Sequence, residues 1–508
     1  MARFQGRDNQ NIILVVRHIM DTNQCMNYNI VGREKEILEL ESLLQTDKSE
    51  FVAVYGRRRV GKSYLIDEIY GSNMAFRTVG IFVKNEKLTE ENYRQEQLLH
   101  FYESLLDYGL PVTEPRPTSW LEAFRLLKHL LLKKRSKRKV VFLDELPWLA
   151  GPQSADFIAE LGFFWNSFAS IQKNIVLVVC GSATSWMLDN VIREYGGLHG
   201  RLTSKMHVSP FTLRECESYY KKHQFHLSRY EMVIAYMAFG GIPYYLDMLR
   251  KERTLTENLD ELFFRKSKAR QEFEDVYVGL FNSKENYLGI VRALGRQIYG
   301  MTRSEISVAI GQKSGGGLSK MLDNLEESDI IRTYTRYGGR QKETVYQLVD
   351  FFSMFYLRHI EQVSNVQSGW KALQRSPQFF SWAGLTFELV AMIHQRQLAK
   401  ALGIGTLSGC YSWKGVSPAG VGAQIDLVME WRGERTDYLV EIKFSENIYA
   451  IDAEYEQKLR NKVDAYIHSK KHIRSHSVNL VLLTTMGLSR GMHNAPVDTQ
   501  LTMDELFK

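Results

Sequence analysis

The stretch "FVAVYGRRRVGKSYLIDEIY", residues 51–70, constrains this chain more than any other. A β-rich apolar run, Phe51 to Tyr55, enters a loop made of Gly56, Arg57, Arg58, Arg59, Val60, Gly61, Lys62 and Ser63. From about Lys62, through Tyr64 and beyond, the apolar spacing predicts an amphipathic helix. Gly-x4-Gly-Lys-Ser between a strand and a helix is a complete phosphate-cradling pattern. Backbone N–H groups and the positive end of the helix dipole face anionic oxygens there. Lys62 is expected to reach the β and γ phosphates of ATP, and the Ser63 hydroxyl to hold Mg²⁺.

A second piece lies downstream. "KVVFLDELPWL" predicts a strand, Val140 to Leu143, ending in Asp144 and Glu145. Asp144 is expected to hold Mg²⁺ through its water shell, and Glu145 to orient or deprotonate the attacking water. A third strand in "NIVLVVCGSATSWM" ends at Ser182, whose small polar side chain suits sensing of the γ phosphate or the water. "GRLTSKMHVSPF" offers Arg201 as the charge that stabilises the transition state, with a structural arginine as the equal alternative. The basic run "KKRSKRK" at 133–139 enters the strand from the end opposite Asp144, about 17 Å away, and reads as a solvated helix end. In "GGIPYYLDML", Gly241 and Pro243 fit a helix-start turn.

The segments "VGREKEI", "YGRRRVGKS", "FLDE", "CGSA" and "GGIPYYL" together resemble the archaeal-type ATPases, a branch of the STAND class within the AAA+-like P-loop NTPases. The resemblance spans about residues 30–275. It implies that Gly32 and Arg33 begin a segment near the adenine, that Ser182 is a sensor, and that Pro243 belongs to a lid motif touching the base. It further implies a slow switch between nucleotide states and assembly into oligomers on activation.

At 508 residues the chain is too long for one core. The balance of 65 Lys+Arg against 58 Asp+Glu permits nucleic-acid binding without demanding it. Four widely spaced cysteines suggest neither a disulfide framework nor a zinc site, which fits a cytoplasmic setting. Apolar runs such as "IILVV" and "IVLVVC" are far shorter than the roughly 20 residues a membrane span needs, so no membrane association and no export are expected. Residues 1–29, polar and rich in Asn and Gln, read as an N-terminal extension.

From about 285 to 350 the pattern is three helices and a hairpin. "ENYLGIVRALGRQI" is amphipathic, "TRSEISVAIG" opens with a Thr and a Glu three residues on, and "GGGLSKMLDNLEESD" supplies the third helix. Two alternating strands then flank Gly338-Gly339. This looks like a winged helix-turn-helix. Its third helix carries Asp323, Glu326, Glu327 and Asp329 against Lys320, the wrong sign for a major groove. Two readings stay open: phosphate contact by Arg332, Arg336, Arg340 and Lys342 of the wing, or docking on the ATPase.

"FFSWAGLTFELVAMIHQRQLAKAL" reads as one helix carrying Glu388. Beyond it come a strand, a glycine-rich turn, a strand through Asp426, a polar turn near Gly433, and a strand, Tyr438 to Phe444. On that last strand Glu441 and Lys443 share one face, while Val440, Ile442 and Phe444 share the other. If the strands pair about the turn, Asp426 stands opposite Glu441, and two carboxylates so placed repel unless a cation bridges them. Oxygen ligands suit Mg²⁺ or Mn²⁺. Lys443 is placed to orient water or balance charge on a phosphodiester transition state. An exposed hairpin with one ion pair accounts for Lys443 but not for two acids juxtaposed in an apolar setting.

The constellation of Asp426 and Glu441-x-Lys443, with Glu388 on a preceding helix, resembles the PD-(D/E)xK nuclease superfamily, although no proline precedes the aspartate. The resemblance implies metal-dependent cleavage of nucleic acid, DNA in preference to RNA. The helix "YEQKLRNKVDAYIHS" adds Lys458, Arg460 and Lys462, basic residues suited to a nucleic-acid backbone.

The expected fold is therefore multidomain α/β. It comprises an N-terminal extension (1–29), a P-loop ATPase core with a parallel sheet (30–210), a helical lid (211–280), a winged helix (281–360), a linker (361–378) and a restriction-endonuclease-like α/β domain (379–508). The expected activity is an ATP-driven switch coupled to a nuclease-like domain. The rival is a non-cleaving regulator that binds DNA or protein under ATP control.

Overall fold

The structure is a computed structural model that describes residues 28–82, 89–151, 154–193, 198, 200–265, 268–278, 284–312, 315–338, 341–361, 369–470 and 476–508. Most of the N-terminal extension, the apolar run "IILVV", Gly339 and Arg340 of the hairpin tip, and much of the linker lie outside the described residues, as does the side chain of Lys342. Two compact units emerge. The first runs up to Gly56 and from Gly61 to Val208; the second comprises Arg57–Val60 and Ser209–Lys508.

The first unit is built on a five-stranded parallel sheet in the order β2-β3-β4-β1-β5. The strands are β1 (Glu50–Tyr55), β2 (Met74–Val79), β3 (Lys139–Asp144), β4 (Ile175–Gly181) and β5 (Ser204–His207). β4 is buried along its whole length, as its unbroken apolar run requires of a central parallel strand. Helices Glu90–Asp107, Trp120–Lys133 and Ser154–Ser167 supply Phe101, Trp120, Phe124 and Phe157 to the core against Phe51 and Phe76 of the sheet. The basic run is only partly solvated: Arg138 is buried, donating to the carbonyls of Leu43 and Lys48 at 2.6 and 2.8 Å. It ties the sheet's lower edge to the preceding helix, a role that a count of charges does not reveal.

The second unit holds a seven-stranded mixed sheet in the order β12-β11-β10-β9-β8-β6-β7. Its strands are β6 (Ile331–Gly338), β7 (Gln341–Leu348), β8 (Gly409–Val416), β9 (Gly422–Trp431), β10 (Thr436–Lys443), β11 (Ser477–Thr484) and β12 (Thr499–Thr502). The three expected helices form at Lys284–Arg296, Arg303–Ala309 and Gly316–Glu327, the second opened by a Thr302/Glu305 capping box. The hairpin that follows does not stand apart: β6 runs parallel to β8, with Arg336 beside Ser412 and Gly338 beside Lys414.

The helix expected to run through "FELVAMIHQRQLAKAL" is two, Pro377–Ile393 and Gln395–Ala401. The break falls at His394. Its Nδ1 bonds to the Val390 carbonyl at 2.8 Å and its Nε2 accepts from the Leu213 N–H at 3.0 Å, so the ring is fixed by the start of another helix. The helix Ala453–Ser469 covers one sheet face, placing Leu459 and Tyr466 on Trp413, Val428 and Leu439. On the other face Phe444 meets Phe379 and Phe387 of the helix Pro377–Ile393.

Candidate functional site

In the first unit, Gly56 ends β1 at φ 141°, where an added Cβ would stand 2.4 Å from the Val208 carbonyl oxygen, so only glycine fits. Gly61 precedes the helix Lys62–Tyr70 at φ 87°, with nothing within 4 Å of a Cβ position and no side-chain cap on the helix. The helix thus turns its N-terminal end toward the loop, as a phosphate-cradling loop requires. Lys62 is buried and donates to the Gly56 carbonyl at 2.9 Å, so its ammonium already lies across the loop. Ser63 is half-buried beside it, and Tyr64 is exposed with its hydroxyl on the Asn29 carbonyl at 2.8 Å.

Sheet register brings the acids to the same end. Tyr55 pairs with Gly181, so Ser182 follows alongside Gly56. Leu143 pairs with Val179, which carries Asp144 and Glu145 to the same level one strand further, about 10 Å from β1. Glu145 sits at φ 47°, a left-handed conformation that costs a non-glycine residue roughly 1–2 kcal/mol. That conformation turns its carboxylate onto Ser182, whose hydroxyl and N–H donate to Oε2 at 2.8 and 3.3 Å. Asp144 is buried, with Arg77 of β2 at 3.6 Å and the Glu145 N–H at 3.0 Å. Gly32 and Arg33 both take φ 63° just before the helix Glu34–Leu44.

Arg201 goes elsewhere. β5 starts three residues later at Ser204, opposite Val52, so Arg201 lies at the far end of the sheet, roughly 20 Å along the strands from Gly56. It is exposed there.

The loop tip, Arg57–Val60, groups with the second unit, and all three arginines are engaged in it. Arg57 pairs with Asp350 at 3.1 Å, Arg58 donates to the Asp275 carbonyl at 3.0 Å, and Arg59 pairs with Glu272 while lying over the Tyr244 ring at 4.1 Å. Tyr244 belongs to the short helix that Pro243 opens, and the neighbouring Tyr245 hydroxyl also donates to Glu272.

The second constellation lies on the C-terminal sheet. β9 and β10 pair antiparallel, from Thr436 with Trp431 to Val440 with Leu427, and just beyond that last pair, where β9 bulges against β8, Asp426 comes beside Glu441 and Ile442. Glu441 is completely buried. Its Oε2 faces Lys462 at 2.5 Å, Tyr455 at 3.4 Å and Lys443 at 4.0 Å, whereas its Oε1 has no hydrogen-bond partner among the described residues. Asp426 accepts the Ile442 N–H at 3.0 Å. Glu388 shares with Asp426 a water-sized cavity of about 20 Å³, whose wall the hairpin's Tyr334 and Arg336 complete. Burial first, and then the Asp426 charge, raise the pKa values of both Glu388 and Glu441.

Other basic residues in this unit are occupied. Arg332 is half-buried, with its guanidinium taken up by Gln347 and Met392, and burial pushes its pKa down to about 10. Arg336 pairs with Glu343, Lys458 with Glu454 and Arg460 with Glu456. Lys462, expected at a nucleic-acid backbone, faces inward instead, because it shares a helical stripe with Tyr455, Leu459 and Tyr466.

Residues 30–249 match the family model described as an ATPase domain predominantly from Archaea. The chain is 26% identical over 370 residues to an uncharacterized protein of Methanocaldococcus jannaschii, covering 71% of this chain and 76% of that one. An uncharacterized ATP-binding protein of the same organism is 28% identical over 192 residues, covering 32% of this chain and 52% of that protein. Among solved structures, a Walker-type ATPase of Pyrococcus abyssi is 21% identical with a TM-score of 0.47, covering 65% of this chain and 96% of that one.

Within the first unit, sequence reasoning missed Arg77, a lone charge in the apolar strand "MAFRTV" that meets Asp144. In the second unit it missed Asp350 and Glu272, the partners of the loop arginines, and Tyr455 beside Glu441. No helix among the described residues is long and apolar enough to cross a membrane.

Proposed function

We propose that the chain is an ATP-hydrolysing switch whose C-terminal sheet carries a metal-dependent nuclease-like site for nucleic acid, DNA in preference to RNA. The observation that carries the second half is the approach of Asp426 to the Glu441–Lys443 stretch of β10, marked by the Ile442 N–H on its carboxylate, with Lys443 alongside Glu441. ATP binds with its phosphates on the loop Gly56–Ser63, where Lys62 exchanges the Gly56 carbonyl for phosphate oxygen. Glu145, aimed by Ser182, takes the proton of the attacking water, and Ser182 registers whether a γ phosphate is present. Gly32, Arg33 and Pro243 serve the base.

The phosphate-cradling loop and the buried Asp144 fit a nucleotide-borne Mg²⁺, held by Ser63 and, through water, Asp144. Bound there, the ion neutralises charge developing on the phosphates. Because Arg57, Arg58 and Arg59 are held in the second unit, a change at the loop tip is felt by the acids that hold them.

In the C-terminal sheet no cluster of three or more His, Cys, Asp or Glu suited to a metal occurs among the described residues. Two carboxylates nevertheless suffice for Mg²⁺ or Mn²⁺, which keep most of their waters, and the partnerless Glu441 Oε1 supplies a free ligand atom. Asp426 and Glu441 hold that ion, with Glu388 next to them, and Lys443 balances charge on the phosphodiester. A second reading, a non-cleaving docking surface for DNA or protein, is favoured by the Lys462 ammonium already on Glu441.

The test is cleavage of labelled single- and double-stranded DNA and RNA with Mn²⁺ or Mg²⁺, with and without ATP, beside Lys62→Ala and Glu441→Ala. Cleavage lost in Glu441→Ala, and ATP-responsive only with Lys62 intact, is the expected result. Intact ATP turnover with no cleavage of any substrate leaves the docking surface.

A further inference from the structure

Glu441 poses a physical problem that its two neighbouring lysines solve unequally. A wholly buried carboxylate, with a second acid of β9 bound to the next residue's N–H, is unstable as an anion unless a cation meets it. Lys443, two residues on, stands 4.0 Å from Oε2, at the limit of an ion pair. Lys462, from the covering helix, makes contact at 2.5 Å and is only 18% exposed. Its ammonium approaches along the stripe Tyr455, Leu459, Lys462, Tyr466, where the other side chains are packed against the sheet.

We propose that Lys462 is the resident counter-cation of Glu441 and that a divalent ion bound at the partnerless Oε1 drives its ammonium off Oε2. The inference rests on the reading of Asp426 and Glu441 as a metal site. The ammonium and the ion seek the same carboxylate, and two positive charges within a few ångströms in a water-poor setting repel strongly. The partly exposed side chain gives the ammonium a way out toward solvent without unfolding the helix. Lys462 thus guards the empty acid pair against its own repulsion and sets a threshold concentration for metal. Lys443, already at arm's length, coexists with the ion.

The experiment is calorimetric titration of the full chain with Mn²⁺ alone, without nucleotide, at pH 8. Glu441→Gln serves as the blank for ions taken up elsewhere. Lys462→Met is expected to bind Mn²⁺ about tenfold more tightly than the wild-type chain at the Glu441-dependent site. Lys443→Met is expected to stay within about threefold, because its ammonium stands only at the limit of an ion pair with the carboxylate. Lys462→Arg, which retains the charge and adds a fork that grips a carboxylate, is expected to bind Mn²⁺ more weakly, and tests the idea even if the methionine variant folds poorly. Equal or weaker Mn²⁺ binding by Lys462→Met, or unchanged binding by Lys462→Arg, overturns the displacement. If wild type and Glu441→Gln take up Mn²⁺ identically, the metal site itself is refuted, and the displacement falls with it.

Discussion

Replacing Arg57 by Met tests how firmly the loop tip is held. The Arg57 and Asp350 side chains are 4% and 1% exposed, and the guanidinium lies 3.1 Å from Oδ1. Burial works against the Arg57 charge, yet Asp350 beside it holds the guanidinium above its usual pKa. At an effective dielectric near 20 the Coulomb attraction over 3.1 Å is about 5 kcal/mol, part of which offsets desolvation of both groups. Removing one partner leaves the Asp350 carboxylate buried with only the Ser353 hydroxyl at 2.5 Å and its neighbours, and costs about 3–5 kcal/mol. Asp350 immediately precedes the buried helix Phe351–His359, which is where the loss registers. Hydrogen exchange followed by mass spectrometry should show amides of that helix exchanging about a hundred- to a few thousand-fold faster in Arg57→Met, tenfold for each 1.4 kcal/mol. Adding Asp350→Asn, which removes the stranded charge and keeps an acceptor for Ser353, should restore most of the protection. Acceleration below about fivefold in the single variant is the scale of a surface ion pair and refutes the reasoning.

Other expectations concern the nucleotide site and pH. Glu145→Gln should lower ATP turnover by about a hundredfold or more while leaving ATP affinity within about threefold, measured by phosphate release and by equilibrium binding. His394 is buried, its pKa is lowered to about 4 by burial, and both ring nitrogens are occupied, so it folds neutral. The unfolded chain, with an ordinary histidine near 6.5, binds the extra proton, so stability present above pH 6.5 declines as pH falls toward 4, by up to roughly 3 kcal/mol. His359, similarly lowered to about 4, acts in the same direction. A denaturation midpoint in His394→Asn that keeps the wild-type pH slope between 6.5 and 4 would show that His394 is not its source.

The nucleotide loop was legible because its information is local: strand, glycines, lysine and helix occupy twenty consecutive residues. The antiparallel pairing of β9 with β10 was also legible, since a short hairpin fixes which residues oppose each other, whereas the bulge at Asp426 was not. What stayed hidden was long-range. Arg57 finds Asp350 across 293 positions, and no spacing rule connects them. Lys462 looked like one of three surface charges, and only the packed stripe around it shows that it turns inward. Where Arg201 stands was hidden too: it precedes β5, and a parallel strand begins at the opposite end of the sheet from the loop. The single helix expected through His394 failed for a tertiary reason, the capture of the imidazole by the Leu213 amide.

The seam between β6 and β8 bears on how this protein is cut into pieces. Arg336–Gly338 supply the backbone partners of Ser412–Lys414, so the hairpin is what keeps β8 from being a bare margin. A fragment begun at residue 379 would strip that margin and offer unsatisfied N–H and C=O groups to any passing chain, an invitation to sticky self-pairing. The smallest C-terminal piece that keeps its selvedge therefore carries the three helices and hairpin with it, and the acid pair on β9 and β10 is inherited only as part of that larger cloth.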